Sequence, residues 1–242
     1  NSLINGSVTS PAVGARWNVA ETTTLRANYI RNFRVPTLFN LFSNSPFAQG
    51  NPDLKPERGN SFDVGIDQQL GDIGLLRFTF FNNTITDNIA YDSANLTYEN
   101  IGKVRTTGVE LALNLQLAKN FYFSGNYTVN DPKILESSNP AEVDQELRFV
   151  GADSINLGLS YENPQGWYAG ILMHSLGSYP TNNTNTESLP GYTTFDFKLR
   201  VPVSENLALN GSVENIFDQR FQLFSGFPDA GRIIQVGMNY KF

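Results

Sequence analysis

Gly231-Arg232-Ile233-Ile234-Gln235-Val236-Gly237-Met238-Asn239-Tyr240-Lys241-Phe242 decides how the rest of the chain is read. Ile234, Val236, Met238, Tyr240 and Phe242 alternate with Gln235, Gly237, Asn239 and Lys241. A period of two puts the apolar set on one face of a strand and the polar set on the other. A soluble sandwich strand alternates as well. The aromatic end adds information, because aromatic side chains gather at the lipid headgroup level and form girdles on membrane barrels.

The same pattern recurs upstream. Val13, Ala15, Trp17 and Val19 alternate with polar or small residues, and so do Leu25, Ala27 and Tyr29. Phe62, Val64 and Ile66 make a third strand; Leu76, Phe78 and Phe80 make a fourth. Val109, Leu111, Leu113, Leu115 and Leu117 precede Phe121, Phe123, Tyr127 and Val129, where Gly125 interrupts the apolar face. Ile155 to Tyr161, Trp167 to Met173, Phe195 to Val201 and Leu207 to Val213 follow. With the terminal strand, about eleven strands are expected. Most reach the length that crosses a bilayer when tilted.

Composition agrees with a strand-built membrane protein. Charged residues are 17% of the 242, low for a soluble chain. No apolar run of about 18 residues exists, so a transmembrane helix is excluded. Aromatics reach 12%, led by 18 Phe and 10 Tyr. There is no Cys, hence no disulfide framework or thiol chemistry, and the net charge of −6 argues against nucleic-acid binding. No signal peptide is visible at Asn1, so an exported chain is expected to be processed or a fragment.

The connections decide between a sandwich and a barrel. Short turns fall near Glu21, Gly71, Lys119, Pro164 and Glu205, and long loops span about 33–60, 92–102, 131–151, 178–191 and 217–230. The two kinds alternate strictly. Outer-membrane barrels do this, with short periplasmic turns and long extracellular loops, and a Greek-key sandwich has no reason to. The fold expected is all-β: a transmembrane, antiparallel, up-and-down β-barrel. Parity sends the last strand from the long-loop side to the short-turn side, which places Phe242 at the periplasmic rim. Arg16, Arg26, Asp63, Asp67, Arg77, Glu110, Asp196, Lys198, Arg200 and Glu214 then face the lumen, which is a water-filled pore or holds a folded plug.

Three stretches resemble TonB-dependent receptors, the active transporters of the outer membrane of Gram-negative bacteria. The first is Asn32-Phe33-Arg34-Val35-Pro36-Thr37-Leu38-Phe39-Asn40-Leu41-Phe42, followed by Gly50-Asn51-Pro52-Asp53-Leu54-Lys55-Pro56-Glu57. The second is Val213-Glu214-Asn215-Ile216-Phe217-Asp218, and the third is the Gly231-Arg232 start of the last strand with its terminal Phe242. Their order resembles the C-terminal part of that family's barrel, which has about 22 strands around a plug. The resemblance implies that residues 1–242 are that C-terminal part, with the plug domain, the TonB box and the first half of the barrel missing.

What the resemblance implies for function is energised uptake of a scarce nutrient. A ferric siderophore is the leading cargo, with cobalamin as another, and passive diffusion or a purely structural barrel are the competing readings. The implied partners are outer-membrane lipid, the TonB complex through the missing part, the barrel assembly machinery and the cargo. Tyr240 and Phe242 resemble the terminal signal that the assembly machinery reads. Loop residues Arg34, Phe39, Phe42, Phe47, Tyr91, Tyr98, Tyr179, Phe224 and Phe227, with Phe221, are candidates for a cargo pocket, since aromatic faces and Arg suit aromatic or anionic siderophores. Two bland alternatives stand beside this: loop-on-loop packing of the aromatics, and Arg34 as a loop anchor paired to a carboxylate such as Glu57. Haem receptors of the family carry a histidine in the first loop; none lies between Pro36 and Asn51, so haem is disfavoured. His174, the single histidine, reads as a lumen or rim residue rather than a metal ligand. No cofactor and no catalytic constellation are expected, with one His, no Cys and no nucleophile motif.

Overall fold

The computed structural model describes residues 9–92 and 95–242, so the reading of Asn1 lies outside the described residues. Eleven strands form one sheet in chain order. They are β1 Ala12–Ala20, β2 Thr23–Arg34, β3 Glu57–Gln69, β4 Gly74–Thr86, β5 Lys103–Ala118, β6 Phe121–Glu136, β7 Ser154–Glu162, β8 Tyr168–Leu176, β9 Tyr192–Pro202, β10 Leu207–Glu214 and β11 Ile233–Tyr240. Each pairs antiparallel with the next, and β1 and β11 are the two edges. All eleven expected strands are present. The β5–β6 turn shows why the short side closes tightly: Asn120 takes a φ of 68°, a left-handed conformation that Asn tolerates well.

The register sorts side chains into two faces. Leu25 stands opposite Ile66, Ile66 opposite Phe78, Phe78 opposite Leu111 and Leu111 opposite Tyr127, an apolar row across five strands. One residue along, Arg26, Gly65, Thr79, Glu110 and Thr128 form the matching row of the other face. Trp17 is 67% exposed and Val236 85% exposed on the apolar face. The buried apolar side chains among the described residues are Leu54, Ile101, Val104, Ile134, Tyr179 and Leu189, all at the long-loop end. A chain of this length in water buries far more, so its apolar face calls for a solvent other than water.

The upper edge of the apolar face crosses the sheet diagonally. Its run ends at Tyr29 on β2, Phe62 on β3, Phe80 on β4, Val109 on β5, Val129 on β6, Ile155 on β7 and Met173 on β8. Phe62 is paired with Asn82, one step beyond Phe80; Ile155 is paired with Tyr127, one step short of Val129; and Ser175, not Met173, is paired with Ile155. Three two-residue steps, roughly 20 Å along the strands, over the six strand spacings from β2 to β8, roughly 29 Å, correspond to a tilt of roughly 35°. Membrane barrels tilt their strands by that much.

Above the edge the pattern inverts, and here the sequence reading needs correction. The loops expected over 33–60 and 131–151 are shorter than that: β2 continues to Arg34, β3 begins at Glu57 and β6 continues to Glu136. β5 and β6 have 16 residues each, against roughly 9–11 needed to cross the hydrocarbon. In the extra length Val104, Pro132 and Ile134 turn apolar side chains to the polar-face side, while Thr107, Arg105, Asp131 and Lys133 face outward. The 144–147 segment runs antiparallel beside this stretch of β6, bridged at Lys133 and Glu146: Ile134 N–H donates to the Gln145 carbonyl at 2.9 Å and Leu147 N–H to that of Pro132 at 3.0 Å. Strand ends elsewhere shift by a residue or two. Trp167 precedes β8, and Phe242 lies beyond the last residue of β11.

Candidate functional site

The long-loop side begins with a carboxylate. Glu57, at the first position of β3, is 6% exposed. It accepts both Nε and Nη2 of Arg34 at 2.5 Å, the Ile89 N–H at 2.7 Å and the Asn88 amide at 3.3 Å. The hydrogen bond to Glu57 holds the Arg34 guanidinium above its ordinary pKa, against the opposing effect of burial. The two loops that flank Glu57 are thereby tied to one point.

From that point the first loop folds on itself. Thr37 caps the short helix α1, Leu38–Phe42: its hydroxyl accepts the Asn40 N–H at 3.1 Å, and the Asn40 side chain accepts the Thr37 N–H at 3.0 Å. Gly50 N–H donates to the Ser43 carbonyl at 2.7 Å, and a Cβ at Gly50 would stand 2.5 Å from the Phe42 and Ser43 nitrogens. Only glycine fits there. The hairpin Asn44–Ser45 with Ala48–Gln49 then joins Thr97–Asn100 and Ile89–Asp92 in a four-stranded loop sheet. Asn51 and Asn100 lock the joint, through the Tyr98 carbonyl at 2.9 Å and the Lys55 carbonyl at 3.1 Å.

This loop sheet gathers one half of the aromatic candidates. Phe39 meets Tyr98 edge-on at 6.1 Å, and Tyr91 lies 5.5 Å from Tyr98. The Tyr91 hydroxyl donates to the Phe47 carbonyl. Phe47 is 77% exposed, and Phe42 is also exposed. Beside them burial, then Asp92 and Glu142, push the Glu99 carboxyl up, and Arg148 opposes this.

The second half is a separate cluster. Tyr179 is buried and donates its hydroxyl to the Leu223 carbonyl at 2.8 Å. Phe149 packs on Phe224 at 5.5 Å, and Tyr192 stacks on Phe221 at 3.8 Å. Burial pushes the Tyr179 and Tyr192 phenols up. Phe149, Val150, Leu176, Tyr179, Leu223 and Phe224 line most of a cavity of about 310 Å³. Phe227 projects from the 222–228 hairpin and is exposed. Arg148 links the clusters by donating to the Tyr91 carbonyl. Arg148, Phe149 and Leu223 escaped the sequence reading; Leu147, Phe149 and Val150, apolar within a polar loop, are the available signal.

The second and third resemblance motifs form one clasp at the base of the last loop. The side chain of Asn215, which has a φ of 51°, donates to the Gln219 carbonyl and accepts the Gln219 N–H, both at 2.9 Å, and its own N–H donates to Asp196 at 2.8 Å. Asp218 accepts the Arg232 N–H at 2.9 Å, which draws its carboxyl below the ordinary range. A Cβ at Gly231 would stand 2.5 Å from Asp218 Oδ1.

On the polar face the predicted charged residues are spread rather than gathered. Arg26 pairs with Asp67 at 3.0 Å and Arg77 with the same carboxylate at 3.7 Å. Asn28 donates to Asp63 at 2.8 Å. His174 lies 3.5 Å from Asp196 and 2.8 Å from Asn156. Arg200 reaches Glu162 at 3.6 Å. Arg16 faces Arg26 across β1–β2, and Glu110 stands opposite Thr79 and Thr128. A cleft of about 550 Å³ runs along the polar face past Lys198, Arg200, Glu214 and Gln235. Among the described residues no three His, Asp or Glu side chains come together as a metal site. Tyr240 and Phe242 meet edge-on at 5.3 Å at the end of β11.

The family described as "TonB dependent receptor-like, beta-barrel" matches residues 1–216. Among solved structures, the siderophore receptor PiuA from Acinetobacter baumannii is similar with a TM-score of 0.76 and 19% identity, over 96% of this chain and 35% of its own. The copper transporter OprC is similar with a TM-score of 0.80 and 22% identity, over 96% of this chain and 39% of its own. BauA, the ferric preacinetobactin receptor from Acinetobacter baumannii, is similar with a TM-score of 0.76 and 19% identity, over 100% of this chain and 38% of its own. The chain thus spans between about a third and two fifths of each.

Proposed function

The chain belongs to the TonB-dependent receptor β-barrel family, and on that premise we propose that it is the C-terminal part of an outer-membrane receptor for energised uptake of a ferric siderophore. The observation that carries this is the family match over residues 1–216. Barrels of this family are outer-membrane proteins. In the proposal, the remaining strands of a barrel of about 22, a plug and a TonB box complete the working receptor. The polar face, with its ion pairs of both signs, then lines the lumen around the plug. No enzymatic step belongs to the proposal.

Cargo choice turns on the donor set. Of the similar structures one is a siderophore receptor, one a ferric preacinetobactin receptor and one a copper transporter. Copper(I) favours soft thiolate and thioether ligands. The chain has no Cys and two Met, and both Met173 and Met238 sit on the apolar face. The exposed aromatics at the mouth, Phe39, Phe42, Phe47, Phe224 and Phe227, suit an organic chelate better than a bare ion.

The test uses the full receptor. Alanine at Phe47 and at Phe227 should each weaken binding of a ferric siderophore by roughly three- to tenfold, the scale of one aromatic contact. Both variants should keep the heat-modifiable gel mobility of a folded barrel. Unchanged affinity for every ferric siderophore, with copper bound instead, would replace the reading with metal-ion transport. Ion conductance without any energising partner would replace it with passive diffusion.

The terminal residues carry a second expectation. Tyr240 is the last ladder residue of β11, and Phe242 is fully exposed beyond it. An edge strand with alternating aromatics is suited to pair with another sheet before the barrel closes. We therefore read Tyr240 and Phe242 as the segment that the barrel assembly machinery engages. Deleting Phe242 should reduce surface-exposed receptor several-fold while the melting temperature of the purified barrel changes little. Normal insertion of the truncated chain would count against this role.

A further inference from the structure

Just above the apolar edge, the outward face carries a concentrated positive charge. In the register, Arg31, Asn60, Thr84, Arg105 and Lys133 form one row across β2–β6, and Phe33, Arg58, Thr86 and Lys103 form the next. Five cations therefore share one patch of a chain whose net charge is −6. Asp131, Glu136 and Glu146, which is bridged to Lys133, are the acidic members of the same face, so five cations against three carboxylates leave the patch net positive. Across β7–β11 the outward strand positions hold no Lys or Arg.

The cations are not arranged to satisfy one another. Arg105 and Lys133 are direct cross-strand partners, and like charges so placed destabilise a sheet. Lys133 has Asp131 at 3.5 Å. Among the described residues, no carboxylate comes within ion-pair distance of Arg31, Arg58, Lys103 or Arg105, and their side chains make no hydrogen bond. A sheet that holds this repulsion is suited to an external anion.

Height selects the anion. Arg31 lies two residues beyond Tyr29, and Arg58, Arg105 and Lys133 lie four residues beyond Phe62, Val109 and Val129. At roughly 3.3 Å per residue and a tilt of roughly 35°, this is roughly 5–11 Å above the apolar edge. A headgroup layer roughly 5–8 Å deep occupies that level. The patch also faces away from the polar face and the loop aromatics, so cargo at the mouth does not reach it. Guanidinium forks match phosphate oxygens in pairs. We propose that Arg31, Arg58, Arg105 and Lys133, with Lys103 above them, bind the phosphorylated headgroup of an outer-leaflet lipid, giving the barrel one lipid-holding side over β2–β6.

This rests on the membrane-barrel reading of the chain. The experiment takes the full receptor in detergent and measures binding of three probes: a diphosphorylated glucosamine lipid, its dephosphorylated counterpart and inorganic phosphate. Wild type is expected to bind the diphosphorylated lipid at least tenfold more tightly than the dephosphorylated one, and inorganic phosphate weakly. The triple variant Arg58→Gln, Arg105→Gln, Lys133→Gln should lose at least tenfold for the diphosphorylated lipid only, given roughly fivefold per basic residue at an anionic surface. Lys119→Gln, in a short turn at the opposite end, should change nothing. Equal affinity of the triple variant and wild type, or equal affinity for the two lipids, overturns the proposal while leaving a folded barrel. Tight binding of inorganic phosphate that competes with the lipid overturns the assignment to lipid. A receptor that fails to show heat-modifiable mobility overturns the barrel reading, and this inference falls with it.

Discussion

Arginine at Leu113 is expected to cost a receptor carrying the whole barrel about 2–4 kcal/mol of folding free energy in a bilayer. Leu113 stands between Leu76 and Gly125 in the register, in the middle of the apolar face. A guanidinium there faces hydrocarbon, with no partner within the sheet. Asn114 is one residue along, opposite Leu75 and Ser124 on the polar face, so Arg at that position should cost less than about 1 kcal/mol. Thr107 provides the sharper control. It shares the outward parity of Leu113 but lies beyond Val109, above the apolar edge. Arg at Thr107 should therefore also be cheap, because the penalty falls towards the interface. A refolding titration in vesicles of the three variants separates face from depth. Equal costs at Leu113 and Asn114 would sink the face assignment, and equal costs at Leu113 and Thr107 would sink the diagonal edge.

The contrast between Leu113 and Thr107 also shows where the sequence could be read and where it could not. Strands were visible because apolar residues recur every second position, as in Val109 to Leu117, and because turn residues such as Lys119-Asn120 punctuate them. Their upper ends were hidden because the same strands change solvent midway. Above the edge water lies outside and the loops lie inside, so Val104, Pro132 and Ile134 take the opposite parity to Val109 and Val129. A reader following one apolar face stops too soon. The loop site was legible only in part. The Arg34–Glu57 pair lies 23 residues apart and could be suggested from charge and motif. The contact of Arg148 with Tyr91, 57 residues apart, has no local signal. Nor does any local pattern say that the aromatics divide into a Phe39–Tyr91–Tyr98 group and a Tyr179–Phe224 group, since the division depends on which loops pair. The Asn215–Asp218 stretch resembles a family motif in sequence; its physical reason, a clasp onto Arg232, needs the three-dimensional register.

Replacing Glu57 by alanine is expected to loosen the first two outer loops by about 1–3 kcal/mol without unfolding the strands below. The carboxylate is the common acceptor for Arg34, Asn88 and the Ile89 N–H. Its loss leaves the Ile89 donor without its partner, which accounts for most of the cost. Arg34 itself has a side chain 54% exposed and recovers water, so the figure stays below that of a fully buried pair. Amide exchange at Ile89 and Gly50 should accelerate by roughly five- to a hundredfold, while exchange within the β4–β5 ladder below the edge is unchanged. The same residue decides what Arg34 is for. If Arg34 anchors the loop, Arg34→Ala and Glu57→Ala weaken siderophore binding alike, and the double variant is no worse than either single one. If Arg34 instead contacts the cargo, Glu57→Ala releases its guanidinium and binding of an anionic ferric siderophore holds or tightens, while Arg34→Ala alone weakens it. The bidentate geometry at 2.5 Å fixes the orientation of the guanidinium on Glu57 through two of its five N–H groups, and the anchoring outcome is the expected one. A cycle in which the two single effects add, or have opposite signs, would return Arg34 to the binding surface.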